Sequence, residues 1–235
     1  MTISWLGDSA LLLDFTDESA DTETLLGRSL SSAAALKHVQ IEGLVEVTSA
    51  YQSVALFLDL SQFDIPPDIS LTSYLQKKIS EISSARGKTE IAQRTVEIPV
   101  CYDLEFALDA ERVATETKLA FATVVDLHSS AEFTVACIGF MPGFPYLAGL
   151  PRSLCVPRLP APRTKVPAGS VAIANNQAGI YSSDSPGGWN IIGRTPLRMF
   201  DPQRDPPVRL LAGERVCFRQ ISRQQFAALS GANGN

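Results

Sequence analysis

Between Gly139 and Phe200 the chain carries six basic side chains, Arg152, Arg158, Arg163, Lys165, Arg194 and Arg198, against one acid, Asp184. The full 235 residues have a formal charge of −5, so this stretch is a segregated positive field. A guanidinium is a planar fork that matches carboxylate or phosphate oxygens, and the stretch therefore suits an acidic small molecule. The competing reading is that these arginines pair with acids elsewhere in the chain or on a partner. The same region holds Gly139-Phe140-Met141-Pro142-Gly143-Phe144-Pro145-Tyr146-Leu147, in which three aromatics alternate with residues that fix or free the backbone. Such a loop can wall a pocket for a small planar ligand, or it can be a structural loop packed by its own rings. His128, in Asp126-Leu127-His128-Ser129-Ser130, precedes this loop and is either a catalyst or a capping or core residue.

Other chemistry lacks support in the residues. Gly87-Lys88-Thr89 resembles the end of a phosphate-binding loop, but that loop needs a glycine where Ile82 stands and a strand where a helix is expected. No GxSxG, HExxH or GxGxxG occurs. The cysteines Cys101, Cys137, Cys155 and Cys217 form no CxxC pair, and only His38 and His128 could assist them, so no metal site is expected. The acidic balance removes the basic surface that non-specific nucleic-acid binding requires. No apolar run approaches a membrane span, and Met1–Asp8 lacks an export pattern, which points to the cytoplasm.

These residues must be positioned by two regions of different character. Residues 1–92 mix strand and helix signals: a strand over Ala10–Phe15, a helix over Thr22–Lys37 capped by Asp21 or Thr22, strands over Leu44–Thr48 and Ser53–Leu58, and a helix after Pro66-Pro67 carrying Leu71, Tyr74, Leu75, Ile79 and Ile82. With Arg94–Val100 as the next strand, the order is the βαββαβ of a ferredoxin-like split βαβ domain. Ser84–Arg94 reads as a polar linker. Residues 93–225 open with helical stretches over Asp109–Phe121 and Thr123–Ser129, each with a residue placed to cap it. Eleven of the 15 glycines and 12 of the 15 prolines then lie from Gly139 onward. Helices tolerate that density badly, whereas short strands joined by constrained loops need it. Strands are expected over Phe133–Ile138, Ser170–Ala174, Trp189–Ile192 and Arg215–Ile221, forming a β-barrel. Residues 226–235 read as a frayed tail. The fold class is α+β.

Gly139–Leu150, Pro157–Gly169, Gln177-Ala178-Gly179-Ile180-Tyr181 and, most specifically, Ser185-Pro186-Gly187-Gly188-Trp189-Asn190-Ile191-Ile192-Gly193-Arg194-Thr195-Pro196-Leu197 together resemble the family that comprises the 5-oxoprolinase B subunit, KipI and allophanate hydrolase subunit 1. Gly7-Asp8-Ser9-Ala10-Leu11 and Leu127–Ser130 fit as well, so the resemblance covers about residues 3 to 221. Two departures are Asp103-Leu104 after Cys101-Tyr102, where members commonly have Gly-Gly, and Ser182 after Ile180-Tyr181, where many have proline. The resemblance implies an N-terminal α+β domain and a C-terminal cyclophilin-like β-barrel. It implies two partner proteins, one KipA-like and one LamB/YcsF-like, with ATP-dependent opening of 5-oxoproline to glutamate as the shared reaction. It also implies two alternatives, the carboxyltransferase half of a biotin-dependent urea carboxylase and a KipI-like inhibitor of a sensor histidine kinase. On this reading His128, Arg163 and Arg194 are catalytic and gather at the barrel pocket. Gly139, Phe140, Pro142, Gly143, Phe144, Tyr146, Arg158, Gly169, Gln177, Tyr181, Ser185, Pro186, Gly187, Gly188 and Trp189 bind substrate. The ATP site is shared with the partner proteins, and the chain alone is expected to be nearly inactive.

Overall fold

A computed structural model describes residues 1–39, 41–63, 69–85 and 94–232, and divides the chain into two compact units, Met1–Ala92 and Gln93–Asn235. Pro66-Pro67, Gly87-Lys88-Thr89 and most of the Ser84–Arg94 stretch lie outside the described residues.

The first unit contains β1 (Thr2–Leu6), β2 (Ala10–Asp14), α1 (Thr22–Lys37), β3 (Leu44–Ala50), β4 (Ser53–Leu58) and α2 (Leu71–Ala85). Asp21 caps α1 by accepting the Thr24 amide at 2.7 Å, which satisfies one of the free donors at the helix start. Strand alternation sends Leu11, Leu13, Val54 and Leu56 to one face, where they are fully buried with Leu36 of α1 and Leu75 and Ile79 of α2. The sheet order is β1-β2-β4-β3 with every pair antiparallel. This corrects the strand allocation expected for a split βαβ domain. The place beside β2 belongs to β1, delivered by the tight Gly7-Asp8 turn, and Thr95–Val100 joins the other unit. A tight turn closes a hairpin at less entropic cost than a return across the length of α2.

The second unit runs β5 (Thr95–Val100), α3 (Ala110–Thr117), α4 (Phe121–Ser130), β6 (Glu132–Ile138), β7 (Pro145–Ala148), β8 (Arg163–Val166), β9 (Ser170–Ala174), β10 (Gln177–Ile180), β11 (Ser185–Gly187), β12 (Asn190–Arg194), β13 (Arg215–Gln220) and α5 (Arg223–Ala232). Seven strands form one curled sheet in the order β12-β9-β10-β7-β6-β13-β5, antiparallel except for β13 with β5. Its two edges meet where Cys101, just past β5, exchanges both backbone hydrogen bonds with Arg194 at the end of β12, each 2.9 Å. A Cβ on Gly193 would come within 2.9 Å of the Cys101 carbonyl oxygen and of Val100 Cγ1, so the edges close only around a glycine.

The sheet separates two clusters. Val171, Ile173 and Ile192 face a large core that also takes in Val113, Val124 and Val125 of the helices. Ala172, Ala174 and Ile191 alternate to the opposite face and pack with Phe144, Val166, Tyr181 and Trp189. Over this second cluster lies a separate two-stranded ribbon of β8 and β11. Neither α3 nor α4 has a side-chain cap: Asp109 is committed elsewhere, and the residue before α4 is Ala120. The expected frayed tail is corrected as far as Ala232. Residues from Arg223 form α5, held by Arg223 to Glu105 at 2.5 Å and by Phe226 against Phe106 at 4.5 Å between ring centres. Among the described residues no helix is long and apolar enough to cross a membrane.

Candidate functional site

The Gly139–Leu147 loop, the ribbon and the start of β12 enclose a cleft of about 240 Å³. Its floor is an edge-to-face cluster centred on Phe144, which meets Tyr146 at 4.9 Å, Tyr181 at 5.3 Å, Phe140 at 5.5 Å and Trp189 at 5.6 Å. Phe144 and Tyr181 are only 1% exposed, whereas Phe140 is 62% exposed. Phe140 also has φ +69°, a conformation that bulky side chains avoid and that surrounding contacts must enforce. Those contacts are present. Gly139 accepts the Met141 amide at 2.8 Å and donates to the Phe144 carbonyl at 3.1 Å, and Ser182 Oγ donates to the Pro142 carbonyl at 2.6 Å. Serine at 182, one of the two departures from the family pattern, thus fastens this loop. Gly143 packs on Met199 and Phe200.

Pro162, Pro186 and Gly188 complete the rim, and Gly187 lets the ribbon approach so closely that a Cβ there would collide with the Tyr181 hydroxyl. Arg158 closes the mouth, with its guanidinium carbon 5.8 Å from the Trp189 ring centre. Among the described residues Arg158 has no ion-pair partner, so it supplies a free fork against an aromatic wall. Burial pushes the Tyr146 and Tyr181 phenols upward and keeps them neutral donors. The lining holds no carboxylate, imidazole or thiol among the described residues. The cleft lining thus combines one cation, two phenols and an aromatic wall, and among the described residues it holds no side chain that could act as a general base.

The three residues expected to be catalytic are not brought together. His128 is fully buried, stacked at 4.5 Å on Phe218 and 5.2 Å from Phe133, with Tyr102 Oη 2.8 Å from Nδ1 and no partner for Nε2 among the described residues. Burial depresses its pKa to about 3, so the ring is neutral. The structure thus places His128 among buried core side chains and outside the cleft lining. Arg163 does not line the cleft either. Its two terminal nitrogens grip Asp109 at 2.6 and 3.0 Å, and Asp109 also accepts the Ile191 amide at 2.7 Å. That carboxylate, which stands just before α3 without capping it, is 5% exposed and pins the ribbon to β12. Arg112 Nε donates to Asn190 Oδ1 at 3.1 Å, and Asn190 donates to the Pro157 and Ile173 carbonyls, extending the same network. Arg194 lies in a different groove, with Nε donating to the Ala168 carbonyl at 2.8 Å.

Among the expected binding residues, Gly169 is a backbone joint between the Tyr181 carbonyl and the Thr195 amide, at 2.7 and 2.9 Å. Gln177 pairs with Ala174 across the β9–β10 hairpin, and Ser185 pairs with Val166 in the ribbon. None of these three lines the cleft. Asp109 and Pro162 were missed. A lone carboxylate before a helix gives no sequence sign that its partner stands at 163. The described residues contain no cluster of three or more metal-ligating side chains.

The protein is similar over nearly its whole length to the 5-oxoprolinase B subunit of Bacillus subtilis, with 38% identity over 96% of this chain and 95% of that one. Its structure is similar to that of the crystallised protein TTHA0988 (TM-score 0.75, 33% identity, 91% of this chain), where it spans only 40% of the longer polypeptide. The urea amidolyase of K. lactis shares the fold (TM-score 0.75, 20% identity), and 98% of this chain matches 15% of that one. The family model for the carboxyltransferase domain, subdomain C and D, matches residues 1–210. With that match spanning most of the sequence, the chain belongs to the carboxyltransferase subdomain C and D family.

Proposed function

We propose that this chain is a non-autonomous component of an ATP-dependent 5-oxoprolinase that opens 5-oxo-L-proline to L-glutamate. Its aromatic cleft would hold the pyrrolidone ring. The observation that carries the reading is the near full-length likeness to a 5-oxoprolinase B subunit, joined to a cleft whose lining cation, Arg158, faces an aromatic wall. 5-Oxoproline is a compact five-membered lactam with one carboxylate. The guanidinium fork would take the carboxylate while the aromatic wall of Tyr146 and Trp189, backed by Phe144, packs against one side of the ring and excludes water there. A lactam is a poor electrophile, and phosphorylation of its oxygen by ATP creates a leaving group for later attack by water. The cleft is smaller than the ~300–1,000 Å³ of pockets that enclose larger ligands and has no base, so nucleotide and catalytic groups would come from KipA-like and LamB/YcsF-like partners in the cytoplasm.

The test is glutamate release from 5-oxoproline by the chain mixed with those partner proteins. ATP-dependent release by the mixture, none by the isolated chain, and a roughly tenfold rise in KM for Arg158→Gln would support the proposal. Full turnover by the isolated chain would refute it. The fold shared with urea amidolyase favours a carboxyltransferase as second reading, and that reading predicts activity only with a biotinylated partner.

A further inference from the structure

We infer that the groove around Arg194 is a second binding site, built for a phosphorylated organic molecule. The groove encloses about 620 Å³ and is lined by Ser182 and Ser183, which hydrogen-bond the Met141-Pro142 turn. Its lining carries Arg194 and Arg198. Arg194 is oriented by the bond from its Nε to the Ala168 carbonyl, which leaves the two terminal nitrogens pointing free of protein acceptors among the described residues. Two carboxylates lie nearby, and both are engaged. Asp184 holds Lys165 at 2.8 Å and the Ala168 amide at 2.8 Å, and Asp201 faces Arg198 at 3.7 Å. Three cations, Lys165, Arg194 and Arg198, therefore stand against two acids, and Arg194 is the one with no carboxylate in ion-pair range among the described residues.

Ser182, Ser183 and Thr195 line the same groove, and the Thr195 hydroxyl, which accepts the Leu197 amide at 3.2 Å, keeps its proton to donate. A planar carboxylate is saturated by one guanidinium fork. A tetrahedral phosphate presents further oxygens that a second arginine and the Thr195 hydroxyl can meet. The lining also includes the apolar side chains of Leu197, Phe200 and Phe226. An inorganic ion would leave these contacts and most of the volume unused, so the ligand carries an apolar or planar body attached to its phosphate. Phe226 comes from α5, whose anchoring by Glu105 and Phe106 gives the groove a fixed wall. Ser182 and Ser183 are also the residues that fasten the aromatic loop, through the Pro142 carbonyl and Met141 Sδ. A ligand seated beside them would thus bear on the loop that carries Phe140.

The test is calorimetric titration of the whole chain with phenyl phosphate, inorganic phosphate and benzoate, with a thermal melt of each variant as a check on folding. Phenyl phosphate should bind about tenfold more tightly than either of the others. Its affinity should drop about tenfold or more in Arg194→Gln, several-fold in Arg198→Gln and in Phe226→Ala, and stay unchanged in Arg219→Gln, whose surface pair with Glu97 lies outside both linings. Arg198→Gln keeps the inference testable if Arg194→Gln does not fold, because Arg198 makes no backbone-closing contact. Equal affinity for phenyl and inorganic phosphate would mean an adventitious ion only, and would overturn the inference. So would loss of phenyl phosphate binding in Arg158→Gln, which would place the ligand in the aromatic cleft, or no measurable binding by the folded wild-type chain.

Discussion

Arg158 and Arg163 stand five residues apart in one proline-rich stretch, yet they serve two regions with opposite electrostatics. Behind the ribbon, Arg163, Asp109, Asn190 and the Ile191 amide form a network in which each charge meets a counter-charge or a hydrogen-bond partner. At the mouth of the cleft, Arg158 has an aromatic face beside it and, among the described residues, no acid. The first arrangement fixes the shape of the wall, and the second leaves a charge available to a ligand. What separates them is whether the desolvated charge is already compensated inside the chain.

The largest expected effect comes from breaking the compensated side. Asp109→Ala strands a guanidinium and a backbone amide together, and should lower stability in urea by about 3 kcal/mol. Arg163→Lys keeps the charge, loses the fork, and should cost less than half of that. If Asp109→Ala leaves the denaturation midpoint unchanged, the network is not what holds the ribbon. Next is the seam that closes the sheet. Gly193→Ala drives a methyl into the Cys101 carbonyl and Val100, for which a loss of about 1–3 kcal/mol is expected; an unchanged melting temperature would show that the edges can part freely.

The third effect is a slope in pH. In the folded chain burial holds His128 down at a pKa of about 3, against 6.5 for the ordinary group. Between those values the unfolded chain binds the extra proton. Stability is therefore full above the ordinary value and falls on acidification by about 1.4 kcal/mol per pH unit from this residue. Comparison of urea midpoints at about pH 5 and about pH 7 in wild type and in Tyr102→Phe/His128→Leu, which removes both polar partners together, should show the double variant with the flatter response. The smallest effect belongs to the uncompensated side: Arg158→Ala should change stability by less than about 0.5 kcal/mol. A larger loss would make Arg158 a structural residue as well, and would erase the contrast with Arg163.

Much of the architecture was legible in the residues. Asp21 capping Thr22–Lys37, the apolar spacing of Leu75 and Ile79, and the alternation over Ser170–Ala174 each specify a local element, because periods of 3.6 and 2 determine which side chains share a face. The glycine and proline density after Gly139 pointed to short strands and tight loops, and the aromatic loop with Pro186–Trp189 did converge on one cleft. The β1–β2 hairpin and α5 went unread: β1 is exposed along most of its length, and α5 begins among residues with little apolar periodicity.

The sequence by itself determined the local elements, the segregated positive charge and the family pattern that runs through Gly139–Leu197. Only the tertiary structure decided that Thr95–Val100 pairs with Arg215–Gln220, that Asp109 lies within reach of Arg163, and that His128 is enclosed by Phe133 and Phe218. These are contacts between residues up to 120 positions apart. A histidine or an arginine has the same composition whether it is buried and paired or open to a ligand, and its role is set by desolvation and by the charges that the fold brings beside it.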